Sequence, residues 1–120
     1  MSPLGFTLVL LSAFFTAIAN LMLRKGTLAV GLTASPGAQI LLLLRQPVFV
    51  IGVVLYGLAA LIWFRVLPME KLTTSYPMLV SLTFIMVTIG AVLVFHEHVN
   101  LQKVSGLAVI IAGIVLATRA

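Results

Sequence analysis

Acid is what this sequence has least of. Only two carboxylates occur in 120 residues, Glu70 and Glu97, and neither lies inside a long apolar stretch. Charged residues make up 8% of the chain, where a soluble domain carries about 25%. With 62% hydrophobic residues and a mean hydropathy of +1.30, a water-soluble fold is excluded. Cysteine is absent, which removes disulfides and thiol chemistry and says little about compartment. A basic patch is missing too. The net charge is +5, but the seven Lys/Arg are scattered at segment ends, so nucleic acid is not the expected partner. In a membrane protein such residues anchor to headgroups and set orientation.

Four apolar segments fill nearly the whole chain, and a spanning helix needs about 20 apolar residues. The expected fold is all-α, one domain over 1–120 with four transmembrane helices at about 4–23, 47–67, 72–95 and 102–118. The first run, Leu4–Leu23, has no basic segment before it and no small-residue cleavage site after it, so it reads as a retained helix. Arg24-Lys25-Gly26 is expected to stop it. Residues 26–37 hold three glycines and a proline and read as a loop. The stretch 38–44 is too short to span and reads as an interfacial helix or an extra turn before Arg45-Gln46-Pro47. Pro47 suits a helix start, Trp63 an interfacial anchor, and Asn100 an N-cap.

Orientation is weakly encoded. One face carries Arg24, Lys25, Arg45 and Lys103, the other Arg65, Lys71 and Arg119. Four against three is almost no bias, which permits insertion both ways, as an inverted pair of identical subunits requires. A single orientation set by the longer first loop is the alternative.

Several side chains could carry function. Thr16 and Asn20 lie four apart on one helix face, where Asn20 either makes an interhelical hydrogen bond or lines a cavity. Arg24 and Lys25 are stop-transfer charges or a grip on a lipid phosphate, for which guanidinium is well suited; Arg45 and Arg65 are secondary candidates. Tyr76 precedes Pro77, whose missing N–H frees backbone groups in a way that suits a cavity wall; the alternative is an interfacial tyrosine. Ser75, Ser81 and Thr83 could add polar lining or bond their own helix. His96, Glu97 and His98 form the one titratable cluster. Glu97 caps the last helix or pairs with a basic residue of another hairpin to latch one face, and the histidines could make that latch pH-sensitive. A metal site lacks a third ligand. Gly106 and Gly113, seven apart and accompanied by Ala112 and Ala117, give a small-residue face for a subunit contact or for ordinary packing.

Leu44-Arg45-Gln46-Pro47-Val48-Phe49-Val50-Ile51-Gly52, then Leu55-Tyr56-Gly57-Leu58 and Ile62-Trp63, resembles the second helix of four-helix proteins in the drug/metabolite transporter superfamily. Ser75-Tyr76-Pro77-Met78-Leu79, followed by Phe95-His96-Glu97, resembles their third helix and hairpin. The run Gly106–Ile114 resembles their fourth. The likeness spans most of residues 40–118. The small multidrug resistance branch keeps a glutamate in its first helix and a tryptophan soon after the third-helix tyrosine. This chain has neither: its first helix reads Ser12-Ala13-Phe14-Phe15-Thr16-Ala17-Ile18-Ala19-Asn20, and Tyr76 is followed by Pro77-Met78-Leu79. It looks closer to the small subunits that flip aminoarabinose-linked undecaprenyl phosphate and to related lipid-linked sugar flippases.

That resemblance implies a bacterial inner-membrane flippase or exporter for a lipid-linked sugar-phosphate or similar amphiphile. It also implies alternating access in an antiparallel dimer, a homodimer or a heterodimer with a similar four-helix subunit. Membrane lipid and an amphiphilic substrate are the expected partners, with no cofactor and no enzymatic activity. Efflux of amphipathic cations is the alternative, and needs an acid that only Glu97 or Glu70 can supply. A third reading is an accessory subunit of a larger membrane complex.

Overall fold

The computed structural model describes residues 2–31 and 35–119. They form an all-helical membrane protein of five helices: α1 (Pro3–Val30), α2 (Pro36–Leu44), α3 (Pro47–Val66), α4 (Leu72–Phe95) and α5 (Leu101–Arg119). α1, α3 and α4 are long and apolar enough to cross a membrane, and α5 contributes a shorter apolar segment, Leu101–Ala117.

α1 begins where Ser2 accepts a hydrogen bond from Gly5 N–H (3.0 Å) and proline takes the first helical position, where its missing N–H leaves nothing unpaired. It does not stop at Arg24-Lys25-Gly26. The charges end the apolar span, but Arg and Lys are good helix formers and the helix runs on to Val30. Its 28 residues reach about 42 Å, longer than a hydrocarbon core of about 30 Å. Gly31 ends it at φ 74°, a left-handed conformation that glycine adopts without strain, donating to Thr27 O. The loop expected over 26–37 is thus much shorter; residues 32–34 of it lie outside the described residues. Ser35 caps α2, and its nine residues cannot span. Asn100 Oδ1 accepts from Lys103 N–H (2.8 Å) at the start of α5.

Packing is organised around α1, which lies against α2, α3 and α4, while α5 packs chiefly on α4. The buried apolar side chains are small: Val9, Ala13, Ala17, Ala19, Ala59 and Val66. Lipid is as apolar as leucine, so membrane helices associate through close backbone approach rather than expulsion of large side chains from water. Gly52 sits against Leu23 and the Ala19 carbonyl, and Gly26 against Phe49, each with no room for a Cβ without movement of a neighbour. No residue of α5 is buried among those described. Gly106 and Gly113 face open space there.

Candidate functional site

A polar row runs along α1 in steps of four: Ser12, Thr16, Asn20 and Arg24. Steps of four follow a ridge of the helix surface, so the row stays on the side turned to α3 and α4 as it climbs. Ser12 Oγ donates across the interface to Ala59 O (2.9 Å), a buried bond that ties α1 to α3. Thr16 Oγ1 donates to Ser12 O (2.7 Å) and Asn20 Nδ2 to Thr16 O (2.9 Å). The Asn20 carbonyl oxygen has no partner among these bonds and stays available as an acceptor.

Two cavities open along this row. The first, about 350 Å³, is walled by Ser12, Thr16 and Asn20 of α1, Tyr56, Ala59 and Trp63 of α3, and Tyr76, Leu79 and Thr83 of α4. Its far end is aromatic: the Trp63 and Tyr76 rings lie 6.1 Å apart at 57°. Pro77 has no N–H to give the Thr73 carbonyl, and Thr73 shares a further opening with Trp63, Tyr76 and Pro77. The second cavity, about 220 Å³, is bounded by Asn20, Leu21 and Arg24, by Phe84, Thr88 and Val92 of α4, and by Glu97, His98 and Lys103. Asn20 lines both and stands between them, with an aromatic end on one side and a charged end on the other.

The charged end is closed by an ion pair. Arg24 Nη1 meets Glu97 Oε1 at 2.5 Å, and the guanidinium also lies 5.2 Å from the centre of the Phe95 ring. His96 makes this geometry. At φ 55° and ψ 36° it is the one non-glycine residue with positive φ among those described, and its N–H closes α4 on Ala91 O. Left-handed backbone here turns the chain sharply after Phe95 and brings Glu97 back over α1. The other carboxylate fastens the opposite end. Ser2 donates to Glu70 Oε1 from both its hydroxyl (2.8 Å) and its N–H (3.1 Å). These bonds, the hydroxyl's first, hold the Glu70 carboxyl below its ordinary pKa by stabilising the charged form.

Of the residues singled out in the sequence, Thr16, Asn20 and Tyr76 meet in the first cavity, and Arg24, Glu97 and His98 in the second. Lys25 is exposed and lines neither. Ser75 and Ser81 are buried and donate to Lys71 O (3.0 Å) and Pro77 O (2.5 Å) of their own helix, so neither wall includes them. His96 acts on the site through backbone shape. Ser12, Tyr56, Trp63 and Lys103 were not singled out as wall residues. The spacing of four that joins Thr16 to Asn20 extends to Ser12 and Arg24, and would have found the first of them. Glu97 is matched by Arg24 and Glu70 lines neither cavity, so neither cavity offers an unmatched carboxylate to a cation.

No family model matches the chain, and no solved structure matches it. Named relatives do. The probable 4-amino-4-deoxy-L-arabinose-phosphoundecaprenol flippase subunit ArnE of Pseudomonas aeruginosa is 38% identical over 76 residues, 63% of this chain and 65% of that protein. The uncharacterized protein y4nH of Sinorhizobium fredii is 29% identical over 119 residues, 99% of this chain and 98% of that one. The ArnE of Erwinia tasmaniensis is 34% identical over 109 residues, covering 91% of this chain and 92% of its own. At that identity over nearly the full length of both proteins, the chain belongs to the family of the probable 4-amino-4-deoxy-L-arabinose-phosphoundecaprenol flippase subunit ArnE.

Proposed function

We propose that this protein is a subunit of a bacterial inner-membrane flippase for a lipid-linked sugar-phosphate, and that the polar head of the cargo travels along the α1 groove. The observation that carries the reading is the row Ser12, Thr16, Asn20 and Arg24, which lines two successive cavities that share Asn20. A lipid-linked cargo can slide its head along such a groove while its tail stays in the bilayer. Hydroxyls, an amide and tyrosine can exchange hydrogen bonds with sugar hydroxyls one after another, and no buried acid is needed. The relatives named as flippase subunits support the same cargo class. A cation exporter would need a free carboxylate in the groove, and Glu97 is matched by Arg24.

Four long helices leave the groove open to one side, and the relatives are named as subunits. The open face of α5 around Gly106 and Gly113 is where a second copy, or a similar four-helix subunit, completes the path.

The test is transbilayer movement of a lipid-linked sugar in liposomes holding this protein, alone and with its membrane partner where one co-purifies. Asn20→Leu keeps bulk but removes the amide at the junction of the cavities. It is expected to slow flipping about tenfold or more at unchanged helicity, through loss of a bond made only by the moving head. Flipping at the wild-type rate in Asn20→Leu would remove the groove as the path.

A further inference from the structure

The second cavity holds more than a gate residue. It gathers two cations, Arg24 and Lys103, and only one acid, Glu97, stands against them. We propose that this cavity is a phosphate site, resting on the flippase reading above, and that Glu97 occupies it as a built-in substitute for the phosphate. The cargo then enters by exchanging places with the Glu97 carboxylate on the Arg24 guanidinium.

Three features support an exchange. First, the pair is easy to open. The Arg24 and Glu97 side chains are 53% and 36% exposed, and ion pairs at that exposure contribute little to stability. Second, Arg24 does not depend on Glu97 for its position, because its guanidinium also stacks against the Phe95 ring. The site therefore stays formed once the carboxylate leaves. Third, a phosphate is the better ligand: guanidinium can take two oxygens of either group, but a phosphate has a further oxygen for Lys103, whose charge Glu97 alone does not neutralise. Arg24 follows directly on the apolar span 4–23, at the level where a lipid phosphate sits.

The surroundings also fit an amphiphile rather than a free ion. On the other side of Thr88, Val92 and Val99, which line both, the charged cavity is bordered by an apolar crevice of about 290 Å³ between α4 and α5, walled further by Ile89, Leu93 and Leu107. A phosphate held by Arg24 can keep its hydrocarbon chain in that crevice. The ligand class is thus a phosphate carrying a long apolar chain.

The test is equilibrium binding to the full chain in neutral detergent, with undecaprenyl phosphate, undecaprenol and inorganic phosphate as separate probes. Removing the internal competitor in Glu97→Gln is expected to tighten undecaprenyl phosphate about threefold to fivefold, the range a half-exposed ion pair allows. Glu97→Asp, one methylene shorter, should fall between wild type and Glu97→Gln. Arg24→Gln should weaken the same ligand about tenfold, and Arg119→Gln, a distant loss of positive charge, should leave it unchanged. Undecaprenol should not respond to Glu97→Gln or Arg24→Gln.

Affinity in Glu97→Gln and Glu97→Asp no tighter than wild type, with helicity retained, would overturn the exchange. Inorganic phosphate binding as tightly as undecaprenyl phosphate would overturn the lipid ligand and leave a free-anion site. Failure of the flippase reading looks different: wild type would bind undecaprenyl phosphate and tighten in Glu97→Gln, yet flip nothing.

Discussion

Each of the two carboxylates in this chain fastens one end of α1. Glu97 meets Arg24 near its C-terminal half, and Glu70 takes both donors of Ser2 at its start. The Glu70 tie has a defined pH dependence. Its carboxyl is depressed below the ordinary 4.5 in the folded protein, so the unfolded chain binds the proton more readily. The stability it contributes is therefore complete above 4.5 and is lost as pH falls through the lowered folded value. Glu70→Gln lacks the contribution at every pH. In thermal unfolding followed by circular dichroism, wild type should exceed the variant by a constant margin from pH 7 to about 5, and the margin should then shrink. A margin unchanged at pH 3 would mean that Ser2 and Glu70 do not interact in solution. At this scale the candidate site was partly legible. Thr16, Asn20, Arg24 and Tyr76 declare themselves as polar or proline-adjacent groups in or beside apolar runs. The partnership of Arg24 with Glu97 rests on the left-handed turn at His96, a backbone choice that no side-chain pattern specifies.

The helices were legible to the extent that hydropathy governs them. The runs that become α3, α4 and α5 stand out as apolar segments bounded by proline, charge or a capping asparagine. The end of α1 was not legible, because the signals that stop a membrane span differ from those that stop a helix. Arg24 and Lys25 end the first, while only Gly31 ends the second. The helical extension from Arg24 to Val30 then brings Gly26 against the start of α3 rather than looping freely. Gly26 is buried at that contact, where an added Cβ would stand 2.8 Å from Phe49 Cβ and 3.1 Å from its backbone. Backbone cannot swing aside as a side-chain tip can. Gly26→Ala should therefore destabilise the protein by about 1–3 kcal/mol despite the better helix propensity of alanine. Gly57→Ala is the matched control, since its Cβ meets nothing within 4 Å; it should be neutral or stabilising by up to about 1 kcal/mol. Equal effects of the two substitutions in unfolding measurements would show that α1 and α3 do not approach at Gly26.

For the whole molecule, the contrast between α1 and α5 has the largest consequence. α1 is gripped on several sides and carries the polar row. α5 touches chiefly α4, buries none of its described residues, and presents Gly106 and Gly113 to open space. Lipid alone could cover that face, but a purely lipid-facing helix gains nothing from glycine, which weakens helices by about 1 kcal/mol relative to alanine. Close approach of another helix supplies the missing reason. The near balance of Lys and Arg expected between the two membrane faces is compatible with a second copy inserted in the opposite sense. A bulky residue at both positions separates this from ordinary packing within one subunit. Gly106→Leu with Gly113→Leu should leave the monomer folded, because a Cβ at either position meets none of the described residues within 4 Å. It should weaken pairing in detergent or bilayer about tenfold or more, a loss readable by crosslinking or by counting subunits in single complexes. If the double variant pairs as wild type does, α5 is a lipid-facing helix and the second half of the transport path must come against α3 or α4 instead.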